Sequence, residues 1–248
     1  AVFFTGGVSG IEKGALLSNR AILRGTVNGC YGYREVFGLK YLLILPLTHV
    51  FGMIRNTLTC FYTMGHLIVC KGRMSMFREI AAYNPNLFVF VPALAEMALR
   101  LSEKFGKNML GSEAKYMICG GAAVPPFLVG EFARRGVTVF PGYGLTEASN
   151  LVSGNPESLS HPDSAGLLFP MQEYKIVGGE LWLRGVNLMD GYLACDEDSF
   201  TEDGWLRTGD LVRIDEDGFL YITGRTKEII ILPGGENISP AELEAKFN

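Results

Sequence analysis

Residues 1 to about 152 alternate short apolar runs with segments of helical periodicity, and nothing else in the chain constrains its fold as tightly. An apolar run without polar alternation needs cover on both faces, which a parallel sheet flanked by crossover helices supplies. The expected strands are 2–4, 41–45, 67–70, 87–91, 116–119 and 137–140, with helices between them near 19–33, 51–62, 76–83, 92–105 and 126–135. The last two helices open on Pro92 and Pro126, in the first turn, where a missing N–H costs no hydrogen bond.

From about residue 153 the texture changes to short alternating segments separated by Gly, Asp and Asn, with strands expected at 173–177, 180–184, 211–215 and 219–223. That pattern implies antiparallel pairing and a small barrel-like subdomain. Beyond it, the Pro233-Gly-Gly turn and the helix start at Ser239 open a further unit. The expected architecture is therefore α/β: a mostly parallel sheet with helices on both faces over 1–152, an antiparallel β-rich part over 153–224, and a hinge with the beginning of another domain over 225–248.

With 248 residues and 48% hydrophobic content the chain can bury a large core. Its formal charge of −4 gives no basic field for nucleic acid. Five cysteines, odd in number and without a C-x-x-C pair, argue against a disulfide framework or a zinc site. The apolar stretch 41–70 carries Arg55 as its only formal charge. Pro46, His49, Gly52, Arg55, Asn56 and Gly65 interrupt it, so it reads as strand, helix and strand and not as a membrane span. Residue 1 begins an apolar strand with no basic leader before it, and the expected compartment is cytoplasmic.

Four segments carry candidate chemistry. Between Thr208 and Lys227, Asp210 can accept from a vicinal diol and Arg225 offers a planar donor fork, at what read as the ends of short strands; polar hairpin turns explain the same residues equally well. Thr5 to Gly14 (TGGVSGIEKG) places glycines, hydroxyls and Lys13 between a strand and a helical pattern, either as a turn or as a phosphate-wrapping loop. Gly120 to Pro126 puts small residues at the carboxyl end of a strand, where open parallel sheets hold ligands. Gly142 to Ser149 (GYGLTEAS) brings Tyr143, Thr146 and Glu147 into one short run.

In this order and with these gaps, the motifs resemble those of the adenylate-forming superfamily, which includes acyl-coenzyme A synthetases, luciferase and peptide-synthetase adenylation domains. The texture is closest to the acyl-coenzyme A ligases, through GELWLRG (179–185), DGWLRTGD (203–210) and GGENISPAELE (234–244). The resemblance implies that Thr5, Gly6, Gly7, Ser9, Gly10 and Lys13 handle phosphates. The family pattern has hydroxyls where Gly6 and Val8 stand and proline where Glu12 stands. It implies that Gly121, Ala122 and Ala123 line the adenine, that Tyr143 and Gly144 flank it, and that Thr146 bonds a phosphate oxygen. Glu147 would hold Mg²⁺, a cation that prefers carboxylate and phosphate oxygens. Asp210 and Arg225 would orient the ribose, His49 would shape the acyl pocket, Lys227 would be the hinge, and Gly234 and Gly235 would approach the coenzyme A arm. Amino-acid-activating relatives carry an aspartate beside the substrate amino group, and none occurs between Tyr41 and Arg55.

The implied reaction is activation of a carboxylic acid, such as a fatty or aryl acid, by ATP and Mg²⁺ through an acyl-adenylate, followed by thioester formation with coenzyme A. Mg²⁺ with Thr146, Glu147 and the Thr5 to Gly14 loop would supply most of the catalytic help. The family's adenylation-step lysine and its N-terminal subdomain fall outside these 248 residues, so the sequence reads as an internal fragment that is slow or inactive alone. Two alternatives stay open: a non-catalytic nucleotide-binding or scaffolding module, and an adenylation domain that loads carrier-protein pantetheine.

Overall fold

The computed structural model describes residues 1–5, 13–30, 37–170, 172–193, 199–226, 230–231 and 237–238. The chain opens with β1 (Val2–Thr5), β2 (Lys13–Leu16) and α1 (Asn19–Asn28). Then follow β3 (Lys40–Leu43), a π-helix (Phe51–Leu58) running into α2 (Thr59–Tyr62), β4 (His66–Val69), α3 (Met76–Tyr83), β5 (Leu87–Phe90), α4 (Pro92–Phe105), β6 (Tyr116–Cys119) and α5 (Pro126–Ala133). The second half holds β7 (Thr138–Leu145), a 3₁₀ turn (Thr146–Ala148), β8 (Asn150–Gly154), β9 (Gly166–Leu168), β10 (Glu173–Val177), β11 (Glu180–Arg184), β12 (Tyr192–Leu193), β13 (Leu206–Ile214) and β14 (Phe219–Arg225).

Eleven strands form one sheet in the order β10-β11-β13-β14-β9-β8-β7-β6-β5-β3-β4. Strands β3 to β7 pair in parallel through right-sized helical crossovers. Their side chains alternate between two cores, which accounts for the near-continuous apolar runs. Leu42, Phe88, Phe90, Met117, Cys119 and Val139 face α3, α4 and α5 through Ile80, Leu94, Ala98, Leu128 and Phe132. Tyr41, Leu87, Val89, Ile118 and Phe140 face Phe51 and Cys60 of the π-helix and α2 on the other side. Helices thus cover both faces.

The junction lies in β7. Its first half pairs in parallel with β6 (Cys119 opposite Pro141), and its second half pairs antiparallel with β8 (Tyr143 opposite Ser153). This continuity corrects the expected barrel: the antiparallel strands extend the same sheet, and no closed barrel forms among the described residues. A third core, with Phe3, Ala15, Leu17, Leu181, Leu183, Leu206, Val212 and Leu220, packs the antiparallel part against a separate three-stranded sheet, β1-β2-β12.

That small sheet brings a second correction. Strand 2–4 was expected among the parallel strands, yet β1 pairs antiparallel with β2, Thr5 opposite Lys13. Too few residues separate the two for a parallel crossover, and the element after the glycine-rich segment is a strand, with α1 following it. Ser18 caps α1, its Oγ accepting from the Ala21 N–H at 3.1 Å. Strand β4 is less buried than its apolar run implied, because it is the sheet's edge.

The four described cysteines are free thiols, as expected, and burial pushes Cys60 up to about 11 and Cys119 up to about 12, which keeps both unreactive at neutral pH. Among the described residues, no helix is long and apolar enough to cross a membrane.

Gly166 has φ +89°, and a Cβ there would lie 2.0 Å from the Gly154 carbonyl across β8 and β9. Gly166→Ala should destabilise the fold by about 3 kcal/mol or more, through strain and strand separation. Urea melts check this; a loss below about 1 kcal/mol would show that the β8–β9 contact is not fixed as described.

Candidate functional site

Parallel strands end together, and the loops leaving them share one rim. Because Cys119 lies opposite Pro141, residues 120–123 and 142–145 emerge side by side, and a Cβ on Gly120 would lie 2.8 Å from the Gly142 carbonyl oxygen. Gly121, Ala122 and Ala123 are exposed there. At Gly144 the β7–β8 ladder shifts register, and a Cβ would sit 2.3 Å from the Asn150 carbonyl oxygen, so no larger residue fits.

Tyr143 leaves β7 toward β13. Its hydroxyl donates to Asp210 Oδ2 at 2.6 Å, and Arg225 Nε donates to Asp210 Oδ1 at 2.8 Å. The sequence placed Asp210 at a strand end, but it lies inside β13, directly opposite Arg225 of β14, because the strand begins at Leu206, five residues earlier than the expected start at 211. Gly209 lets the backbone turn through φ +75°, Thr208 Oγ1 accepts the Asp210 N–H at 3.1 Å, and the Asp210 side chain is 4% exposed against 50% for Arg225. Arg225 is therefore the solvent-facing member of the pair.

The 3₁₀ turn after β7 carries Thr146, buried, and Glu147, half-buried. Glu147 is anchored twice: its carbonyl accepts from the Met189 N–H at 2.8 Å, and its Oε1 accepts from the Tyr192 hydroxyl at 2.5 Å. Tyr192 lies on β12 opposite Ala15, and Lys13 Nζ stands 5.2 Å from the centre of its ring. Tyr192 was not foreseen. Its only sequence signal is the Asp190-Gly191 turn before a short apolar pair, too brief to read as a strand.

The structure therefore gathers Lys13, Tyr143, Thr146, Glu147, Asp210 and Arg225, with residues 121–123 on the neighbouring strand end. Thr5 ends β1 opposite Lys13. His49 lies in the loop after β3, a strand separated from β7 by β5 and β6. It is exposed, its Nδ1 accepts from the Phe51 N–H at 3.1 Å, and partial desolvation lowers its pKa below the usual histidine value. Phe51 itself reaches back to within 3.5 Å of a Cβ built on Gly120. Gly6, Gly7, Ser9, Gly10, Lys227, Gly234 and Gly235 lie outside the described residues.

No group of three or more His, Cys, Asp or Glu side chains that could hold a metal occurs among the described residues. A lone carboxylate such as Glu147 fits a magnesium ion that takes its remaining oxygens from phosphates and water, and Glu147 Oε2 accepts none of the hydrogen bonds given above.

Residues 1–193 match the model of the AMP-binding enzyme family. The chain is 33% identical over 262 residues to a long-chain-fatty-acid–CoA ligase of Yersinia pestis, covering 97% of this chain and 46% of that protein. It is 33% identical over 261 residues to indoleacetate–CoA ligase of Aromatoleum aromaticum, covering 98% and 50%. Among solved structures, o-succinylbenzoate CoA synthetase from Bacillus subtilis in complex with its acyl-adenylate superposes with a TM-score of 0.85 at 27% identity, over 98% of this chain and 52% of that one. The chain thus spans about half the length of the relatives it matches.

Burial raises the Tyr143 pKa well above the ordinary tyrosine value, and the Asp210 charge adds to the effect. A phenol whose folded pKa exceeds its unfolded one stabilises fully below pH about 10, and that stability falls as pH rises further. Tyr143→Phe should cost about 1–2 kcal/mol near pH 8 and lose less stability than wild type between pH about 9.5 and 11. Urea melts across that range check it; identical slopes would contradict the buried pair.

Proposed function

Since the chain belongs to the AMP-binding enzyme family, we propose that it forms the nucleotide- and acid-binding part of a ligase that activates a carboxylic acid with ATP and passes the acyl group to coenzyme A. The observation that carries this reading is the joining of Tyr143, Asp210 and Arg225 into one network, two strand-end residues away from the Glu147 turn. A diol acceptor and a carboxylate suited to magnesium then open on one rim.

In this reading residues 1–152 bind nucleotide and acid, 153–224 supply the ribose contact, and 225–248 lead through Lys227 into a further domain. Tyr143 packs against the adenine face with residues 121–123 on its edge. Asp210 takes the ribose hydroxyls, with Arg225 beside it orienting the nucleotide. Thr146 donates to a phosphate oxygen, and Lys13 offsets charge on the β- and γ-phosphates. Magnesium, when bound, supplies charge neutralisation on the departing pyrophosphate, and Glu147 is the residue that holds it.

A carboxylate oxygen of the substrate attacks the α-phosphorus, the bond to the β-phosphate breaks, and pyrophosphate leaves. The thiolate of coenzyme A then attacks the acyl carbon and AMP leaves with the bonding electron pair. In-line positioning is the main requirement, so the protein's part is to hold acid and α-phosphate in contact while excluding water. Tyr192 acts as a positioning residue, since its hydroxyl fixes one Glu147 oxygen and leaves the other for the cation.

Pyrophosphate release by the full-length protein, with ATP, magnesium and a panel of carboxylic acids, tests the reading. Turnover is expected with at least one acid. Glu147→Gln should lower kcat about 100-fold or more, and Asp210→Asn should raise the KM for ATP by about 10-fold or more. Wild-type inactivity with every acid, or variants equal to wild type, would overturn it.

A further inference from the structure

Strand β13 carries more chain than β11 can match across the ladder. Trp182 stands opposite Arg207 and Glu180 opposite Leu211, so Thr208, Gly209 and Asp210 share the span that Leu181 fills on β11. Such a bulge re-aims side chains, and the backbone groups it displaces from the ladder need other partners. Side chains supply them. Thr208 Oγ1 donates to the Leu181 carbonyl at 2.6 Å and accepts from the Asp210 N–H at 3.1 Å. Thr226 Oγ1 donates to the Gly209 carbonyl at 3.2 Å.

The Gly209 N–H is held by a carboxylate. Glu180 Oε1 accepts it at 2.7 Å, while Glu180 Oε2 accepts the Trp182 indole N–H at 3.0 Å. Bonds to an ionised acceptor are roughly twice as strong as neutral ones. This one grips the residue whose φ of +75° turns the chain into Asp210. With a donor on each oxygen, the carboxylate is fixed in place.

The indole is itself clamped. Glu180, Trp182 and Arg184 alternate onto one face of β11, with Lys175 of β10 opposite Trp182. Lys175 Nζ lies 4.9 Å from the centre of the Trp182 ring and 4.3 Å from that of Trp205, and Arg184 Cζ covers the same Trp205 ring at 4.5 Å. Trp205 is buried and leads directly into β13. The stacked face therefore runs from the start of β13, through the two rings and Glu180, back to the bulge that carries Asp210.

We propose that Glu180 is a positioning residue for the nucleotide ribose: it fixes the β13 bulge so that the Asp210 carboxylate is presented beside Tyr143, and the GELWLRG segment serves nucleotide binding through it. This rests on the reading in which Asp210 takes the ribose hydroxyls. Glu180 itself touches no substrate.

The experiment measures pyrophosphate release by the full-length protein with ATP and with 2′,3′-dideoxy-ATP, whose ribose lacks both hydroxyls. Wild type should favour ATP by about 30-fold or more in kcat/KM. Glu180→Ala should shrink that preference to about threefold or less, by raising the KM for ATP while the KM for the dideoxy analogue stays within about a factor of two. Glu180→Gln, which keeps the shape and one acceptor, should fall between the two, and it decides the matter if the alanine variant fails to fold. Variants that retain the wild-type preference, or that weaken both nucleotides equally, would overturn the inference and leave the ribose reading intact. A wild type that does not distinguish the two nucleotides, or that turns over neither with any acid, would instead remove the reading beneath the inference, and the inference with it.

Discussion

Everything in this molecule hangs on β7, one strand that changes partner direction halfway along. Up to Pro141 it continues a parallel stack; from Gly142 it pairs antiparallel with β8. That switch frees the carboxyl end of β6 from a neighbour on one side and turns Tyr143 toward β13. It also delivers Thr146 and Glu147 to the rim as a tight 3₁₀ turn. A strand that stopped at Pro141 would leave the antiparallel strands as a separate body, with no reason for Asp210 to meet Tyr143.

The second constraint is electrostatic. Asp210 is almost wholly buried, a costly place for a carboxylate, and it is tolerated because Tyr143 and Arg225 donate to it from two different strands. The same bonds pin β7 to the β13–β14 pair, so stability and site geometry share one set of contacts. Across the rim, the Glu147–Tyr192–Lys13 chain ties the small sheet to the 3₁₀ turn in a similar manner. Coupling of this kind makes the position of the opening hairpin dependent on a residue nearly two hundred positions along.

Much of the fold was legible because its signals are local. The spans 76–83, 92–105, 116–119, 173–177 and 180–184 came out as expected, since proline at a first turn, helical periodicity and alternation each act within a few residues. What escaped was decided at a distance. Strand 2–4 has a buried strand's composition, and only its pairing with Lys13–Leu16 removes it from the parallel sheet. Strand β13 runs through Thr208 and Gly209, residues that read as a turn, because Thr208 Oγ1 finds the Leu181 carbonyl at 2.6 Å on the neighbouring strand. Among candidate site residues, Tyr143, Thr146, Glu147, Asp210 and Arg225 stood out as a motif pattern. Tyr192 did not, for its partner is a carboxylate forty-five positions away.

The central claim is that one nucleotide cleft spans β7, its 3₁₀ turn and the β13–β14 pair. Amide hydrogen exchange of the full-length protein, with and without a saturating non-hydrolysable acyl-adenylate analogue, tests it most directly. Protection confined to residues 120–123, 142–149, 208–211 and 223–226 is the predicted result. Protection in only one of these segments, or in none while the analogue binds elsewhere, would contradict the account.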